Sequence, residues 1–132
     1  MRATVSFFLF TLLTFSCMNS PRTYDYADGN GNVYTLSGGT LSFDPVREEE
    51  SSSGMYSGGE PRTVPITSVQ YDSIRSLLET ARSDQSIQIN DRVKMSGAIG
   101  ISEGGRVSRY IIRPGTEILV KIETYLKAII SK

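Results

Sequence analysis

Two stretches of this chain repeat apolar residues at steps of three and four, while the stretches around them alternate apolar and polar residues, so the fold has to combine two helices with a half-buried sheet. Tyr71, Ile74, Leu78 and Ala81, with Leu77 beside them, make the first helical stripe. Ile118, Ile122, Tyr125, Leu126 and Ile129 make the second, with Lys121, Glu123 and Lys127 on its polar side. Thr67 stands three residues before Gln70, the spacing of a capping box, and Ile66 is placed to staple onto Tyr71, so the first helix starts there and should end near Ser83. Before it, Tyr24, Tyr26, Val33 and Tyr34 flank Asn30-Gly31, which predicts a hairpin with a type I′ turn. Leu41 and Phe43 continue the meander after Gly38-Gly39. Between the helices Ile87 and Ile89 alternate, and Val93, Met95, Gly97, Ile99 and Ile101 read as one long strand. Glu103-Gly104-Gly105 turns it into a second strand carrying Tyr110 and Ile112 on one face and Val107, Arg109 and Ile111 on the other. Pro114-Gly115 breaks that strand. Strands, helix, long hairpin, helix, joined by short connections, predicts an α+β domain: a two-layer structure with an antiparallel sheet and both helices on one face.

The amino terminus is different in kind. Arg2 precedes an uncharged run from Ala3 to Phe15, then Ser16 and Cys17. A positive start, an apolar run and a small residue before a cut are the parts of an export signal. The run is about 13 residues long, short of the roughly 20 that span a bilayer. Leu13-Thr14-Phe15-Ser16-Cys17 resembles the lipobox of bacterial lipoproteins. That resemblance implies that residues 1–16 are removed, that Cys17 is acylated and becomes the new amino terminus, and that 17–22 is a short tether. It also implies a bacterial cell-envelope location, on the periplasmic or outer-membrane face, with the membrane engaged through acyl chains (palmitate among them) on Cys17. Thr14 and Ser16 equally satisfy the small-x-small rule of an ordinary signal-peptidase site, which would leave Cys17 as a free thiol.

Residues 23–132 would then form one small domain, with no disulfide available from the single cysteine. Loss of residues 1–16 removes Arg2, so 14 basic and 14 acidic side chains become 13 and 14, and net charge courts neither a nucleic acid nor an anionic surface. Histidine is absent, which closes His-based triads, His general bases and His metal sites.

The remaining constellations are weak. Gly100-Ile101-Ser102-Glu103-Gly104 has the G-x-S-x-G spacing but lies between two strands, where its glycines serve a hairpin. Asp28, Asn30 and Asn32 alternate as a calcium loop begins, yet Val33 and Gly39 occupy the positions where an EF-hand needs Gly and Glu. Residues 46–60 hold Glu48, Glu49 and Glu50, then serines and glycines around Met55-Tyr56, and read as a flexible loop of about 15 residues, a length that often serves function. An aromatic on such a loop suits partner recognition. Arg92, Lys94, Arg106 and Arg109 fall on the long hairpin, where the acidic loop could fold against them.

The expectation is therefore a lipid-anchored, non-enzymatic interaction module, an accessory or inhibitor (immunity-type) subunit that meets another envelope protein through Met55, Tyr56, Arg92 and Arg106. No catalytic residue, cofactor or metal is expected. Capture of a sugar or peptide by Tyr24, Tyr26 and Tyr34 is the alternative, and a histidine-independent hydrolase using Ser52, Ser102, Glu103 or Lys94 a weaker one.

Overall fold

The computed structural model describes residues 21–132. The expected signal peptide and Cys17 lie outside the described residues. Seven strands, β1 (Thr23–Ala27), β2 (Val33–Ser37), β3 (Thr40–Asp44), β4 (Arg62–Pro65), β5 (Gln88–Ile89), β6 (Gly97–Glu103) and β7 (Arg106–Ile112), form one sheet in the order β4-β3-β2-β1-β6-β7-β5. Every neighbouring pair is antiparallel. Helices α1 (Ser68–Ser83) and α2 (Glu117–Ile130) pack on one face, so the α+β class and its two layers are as the sequence predicts.

Alternation decides which residues meet the helices. In β1 Tyr24 and Tyr26 face inward, joined by Tyr34 and Leu36 of β2, Leu41 of β3, and Ile99 and Ile101 of β6. Ile74, Leu78 and Ala81 of α1 and Leu119, Ile122, Leu126 and Ile129 of α2 close over them. Leu119 takes the central place that the periodicity assigned to Ile118, which flanks the core with Tyr125.

Polar bonds dock each helix. The Tyr24 hydroxyl donates to Glu79 Oε1 of α1 (2.7 Å), and the Tyr26 hydroxyl donates to Glu123 Oε1 of α2 (2.8 Å). The capping box forms as expected: Gln70 N donates to Thr67 Oγ1 (3.1 Å) and Thr67 N to Gln70 Oε1 (2.8 Å). Helix α2 ends against the β4 edge, where Arg62 Nη1 donates to the Ile130 carbonyl (2.7 Å).

Two expectations need correction. Asn30-Gly31 is no two-residue turn: β1 and β2 pair up to Ala27 and Val33, leaving a five-residue loop, Asp28–Asn32. Asp28 reshapes it, because its Oδ1 accepts from Asn30 N (2.9 Å) and Asn32 N (3.0 Å), replacing a backbone acceptor as Asp does in turns. Nor does the long strand begin at Val93. Ser96 N and Oγ both donate to the Val93 carbonyl (3.1 and 2.6 Å), a tight turn with Met95 at φ 65°, and the strand starts at Gly97. By contrast Gly104-Gly105 is the hairpin turn expected of it, with both φ positive and Glu103 paired to Arg106.

Candidate functional site

The Asp28–Asn32 loop is the hub of one end of the sheet. Asp28 and Asn32 are 2% and 5% exposed, and each is held by several bonds. Asn32 Nδ2 donates to Asp28 Oδ2 (2.9 Å) and to the Tyr56 hydroxyl (3.1 Å), while Asn32 Oδ1 accepts from Val46 N (3.0 Å). The loop at 46–60 is thus fastened to the hub at both ends, and Gly58 N closes it by donating to the Val46 carbonyl (2.9 Å). Gly58 has to be glycine: a Cβ there would strike the Asn32 amide oxygen and come within 2.8 Å of Pro45 Cβ.

A third segment, 90–96, meets the same hub. Arg92 Nη2 donates to the Asp28 carbonyl (2.6 Å). Gly29 lies so close to the chain at Met95 that an added Cβ would stand 2.7 Å from Met95 Cα. Met95 is the only non-glycine residue with positive φ among the described residues, a local strain of about 1–3 kcal/mol that surrounding contacts must hold. Around these fixed points the apolar tips stay in water: Met55 is 83% exposed, Met95 53% and Val93 49%.

The expected site residues therefore separate. Met55, Tyr56 and Arg92 come to one end, linked through Asn32 and Asp28. Arg106 stands at the opposite end, beside the Gly104-Gly105 turn. Among the described residues the acids Glu48 to Glu50 make no ion pair with either arginine; Glu50 Oε2 accepts from Arg47 N (3.2 Å) within its own 3-10 turn. Val93 and Met95 belong to the cluster, although their alternation with Lys94 and Ser96 disguised them as strand residues. Asp28 and Asn32 hold it together, and the Asp/Asn-rich DGNGN was their signal.

The other end is charged. Arg22 Nη1 meets Glu79 Oε1 (3.0 Å), Arg22 Nη2 meets Glu103 Oε2 (2.8 Å), and Arg82 Nε donates to Glu79 Oε2 (2.6 Å). Burial alone would push the Glu79 carboxyl up, but the Tyr24 hydroxyl and the Arg82 and Arg22 guanidinia outweigh it and hold the carboxyl below its ordinary value. Arg22 and Arg82 are both matched by acids at this end.

Of the residues a hydrolase would draw on, Ser102 and Glu103 sit at the charged end, while Ser52 of the 46–60 loop and Lys94 lie among the loops of the other end. Tyr24, Tyr26 and Tyr34 are buried under the helices and form no groove. Burial, then the charges of Asp28 and Glu123, pushes the Tyr34 hydroxyl up to about 12, and burial plus the bond to Glu123 raises Tyr26 further, so both stay protonated and serve packing. Among the described residues no three Asp, Glu, Cys or His side chains gather as a metal site, and no helix is long and apolar enough to cross a membrane. No protein-family model, curated protein or solved structure matches this chain.

Proposed function

We propose that the protein is a lipid-anchored cell-envelope protein that acts without catalysis, recognising another envelope protein through the loop end of its sheet. The observation that carries this reading is the convergence of two further loops, 46–60 and 90–96, on the Asp28–Asn32 hub, with Met55, Met95 and Val93 left exposed on a fixed support. Methionine fills irregular partner surfaces well, and a support already ordered lowers the entropy lost on binding.

Anchoring through Cys17 fits the same geometry. Five residue steps separate Cys17 from Arg22, a reach of at most about 18 Å, and Arg22 is bonded at the end opposite the loops. The β6 strand alone adds about 20 Å between the two ends. Acyl chains on Cys17 would therefore hold the charged end near the bilayer and turn the loops away from it.

A photoreactive residue at Met55 in the full-length chain, activated in cells, tests the reading. One dominant protein adduct, lost when Met95→Asp and Val93→Asp are combined, is expected. Only lipid adducts, or none, would overturn it. The amino-terminal mass should show diacylglycerol on Cys17, and an unmodified terminus would remove the anchor.

A further inference from the structure

The second face of the sheet is covered by neither helix, and its side chains form rows set by the strand register. One row is apolar over five adjacent strands, Val33, Ala27, Ala98, Ile111 and Ile89, before it ends at Asp44 of β3. The next holds Thr35, Asp25, Gly100 and Arg109. Asp25 leans over Gly100, whose missing Cβ would lie 3.7 Å from Asp25 Oδ2; Asp25 Oδ1 accepts from the Thr35 hydroxyl (2.8 Å). Arg109, exposed on the other side of Gly100, makes no ion pair among the described residues. The third row holds Thr23, Ser102 and Val107.

From this pattern we infer that the open face binds a second copy of the same chain, through a two-fold axis running along β6. Such an axis lays β1 of one copy over β7 of the other. Asp25 then faces Arg109 of the second copy, and Arg109 faces its Asp25. In the apolar row small meets large, Ala27 opposite Ile111 and Val33 opposite Ile89, with Ala98 and Gly100 on the axis where the sheets must approach closely. The other face-to-face arrangement, with the axis across the strands, sets Asp25 on Asp25 and Arg109 on Arg109, and like charges so placed cost several kcal/mol.

The favoured arrangement is also the one that a membrane allows. An axis along the strands keeps both Arg22 ends on the same side, so two chains anchored in one leaflet can pair, whereas the crosswise axis points the two ends apart. Five strands overlap, at about 4.8 Å per strand and 3.3 Å per residue, so each copy covers roughly 400 Å² in projection. That places the contact among weak, transient ones, which confinement to a surface strengthens through effective concentration. The leaflet argument and the strengthening by surface confinement rest on Cys17 acylation; the charge and size complementarity does not.

In cells making the full-length chain with two different tags, Ser102→Cys lies beside the axis and should give a double-tagged dimer with a short bis-maleimide. Ser42→Cys, three strands from the axis on the same face, should not, since the two copies of residue 42 lie about 29 Å apart. In the Ser102→Cys background, Asp25→Lys or Arg109→Glu should each cut the dimer about tenfold, and the two together should restore it. Absence of the Ser102 dimer, a dimer through residue 42, or no rescue in the double variant would overturn the inference. A dimer in the parent chain would report a free Cys17 thiol and remove the anchor, while the loss and rescue in the charge variants would still decide the pairing.

Discussion

Replacing Asn32 by alanine should release the loop at 46–60 and destabilise the whole domain. Its amide supplies three bonds, and they are unequal. The one to Asp28 Oδ2 satisfies a buried carboxylate and contributes about 1.5–3 kcal/mol, because the oxygen left behind cannot reach water freely. The bond from Val46 N adds about 1 kcal/mol. The bond to Tyr56 adds little, since that hydroxyl belongs to an exposed residue that can rehydrate. Asn32→Ala should therefore cost about 3 kcal/mol, and Tyr56→Phe under about 1 kcal/mol. With a urea slope of about 1.5 kcal/mol per molar, the midpoint for Asn32→Ala falls by about 2 M at unchanged slope. Amide exchange at Val46 and Gly58 should accelerate in the same variant. A midpoint shift under about 0.5 M, or a Tyr56→Phe effect as large as that of Asn32→Ala, would refute the assignment of Asn32 as the loop's fastening.

Three further outcomes follow from the same contacts. Gly97→Ala would bring a Cβ to 2.6 Å from Leu119 Cδ2 and 2.9 Å from the Tyr26 hydroxyl, so it should cost about 1–3 kcal/mol in thermal unfolding; an unchanged Tm would contradict the packing. Glu79 titrates below its ordinary value in the folded state, so its contribution is present above the unfolded carboxyl's pKa of about 4.3 and is lost as pH falls through the lower folded value. The stability difference between the parent and Glu79→Gln should accordingly shrink below about pH 4, and a difference that grows there would reverse the sign. Tyr24, Tyr26 and Tyr34 are all raised, so the unfolded chain loses those protons first: stability should hold to about pH 10 and fall from there towards the value of about 12 for Tyr34. Unfolding free energies that stay flat across that window would refute the burial of these hydroxyls.

What the sequence disclosed was local. The Thr67–Gln70 cap, the stripe from Ile74 to Ala81 and the alternation through Tyr24 and Tyr26 are each set within a few residues, and each is found where the spacing places it. What it hid depends on partners far along the chain. Val93 and Met95 alternate as strand residues do, but the Ser96 bonds to the Val93 carbonyl and the close approach of Gly29 bend that segment into a turn. Asp28 and Asn32 resemble the start of a metal loop until Val46, Tyr56 and Arg92 are brought to them from 14 to 64 positions away. The same holds for the open face. Ala27, Val33, Ile89, Ala98 and Ile111 share no local pattern and become one row only through four separate strand registers. Arg92 and Arg106 fall on one sequence hairpin yet stand at opposite ends, since β6 runs its full length between them.

The sheet's two uncommitted surfaces are compatible in a way that bears on function. Pairing through the open face leaves the loop end untouched, because its apolar tips project from the ends of the strands and the axis runs parallel to those strands. Two copies related by that axis carry both loop clusters to the same side, away from the charged ends bonded by Arg22. A partner with two equivalent sites could then engage both clusters at once, and the second contact would form at a local concentration set by the spacing of the pair. Each loop cluster, fastened at Asn32 and Asp28, would have little left to order on binding except the exposed side chains at its tip. Weak pairing on one face and small apolar contacts on the loops would reinforce each other if Cys17 holds both at a membrane surface, as proposed above.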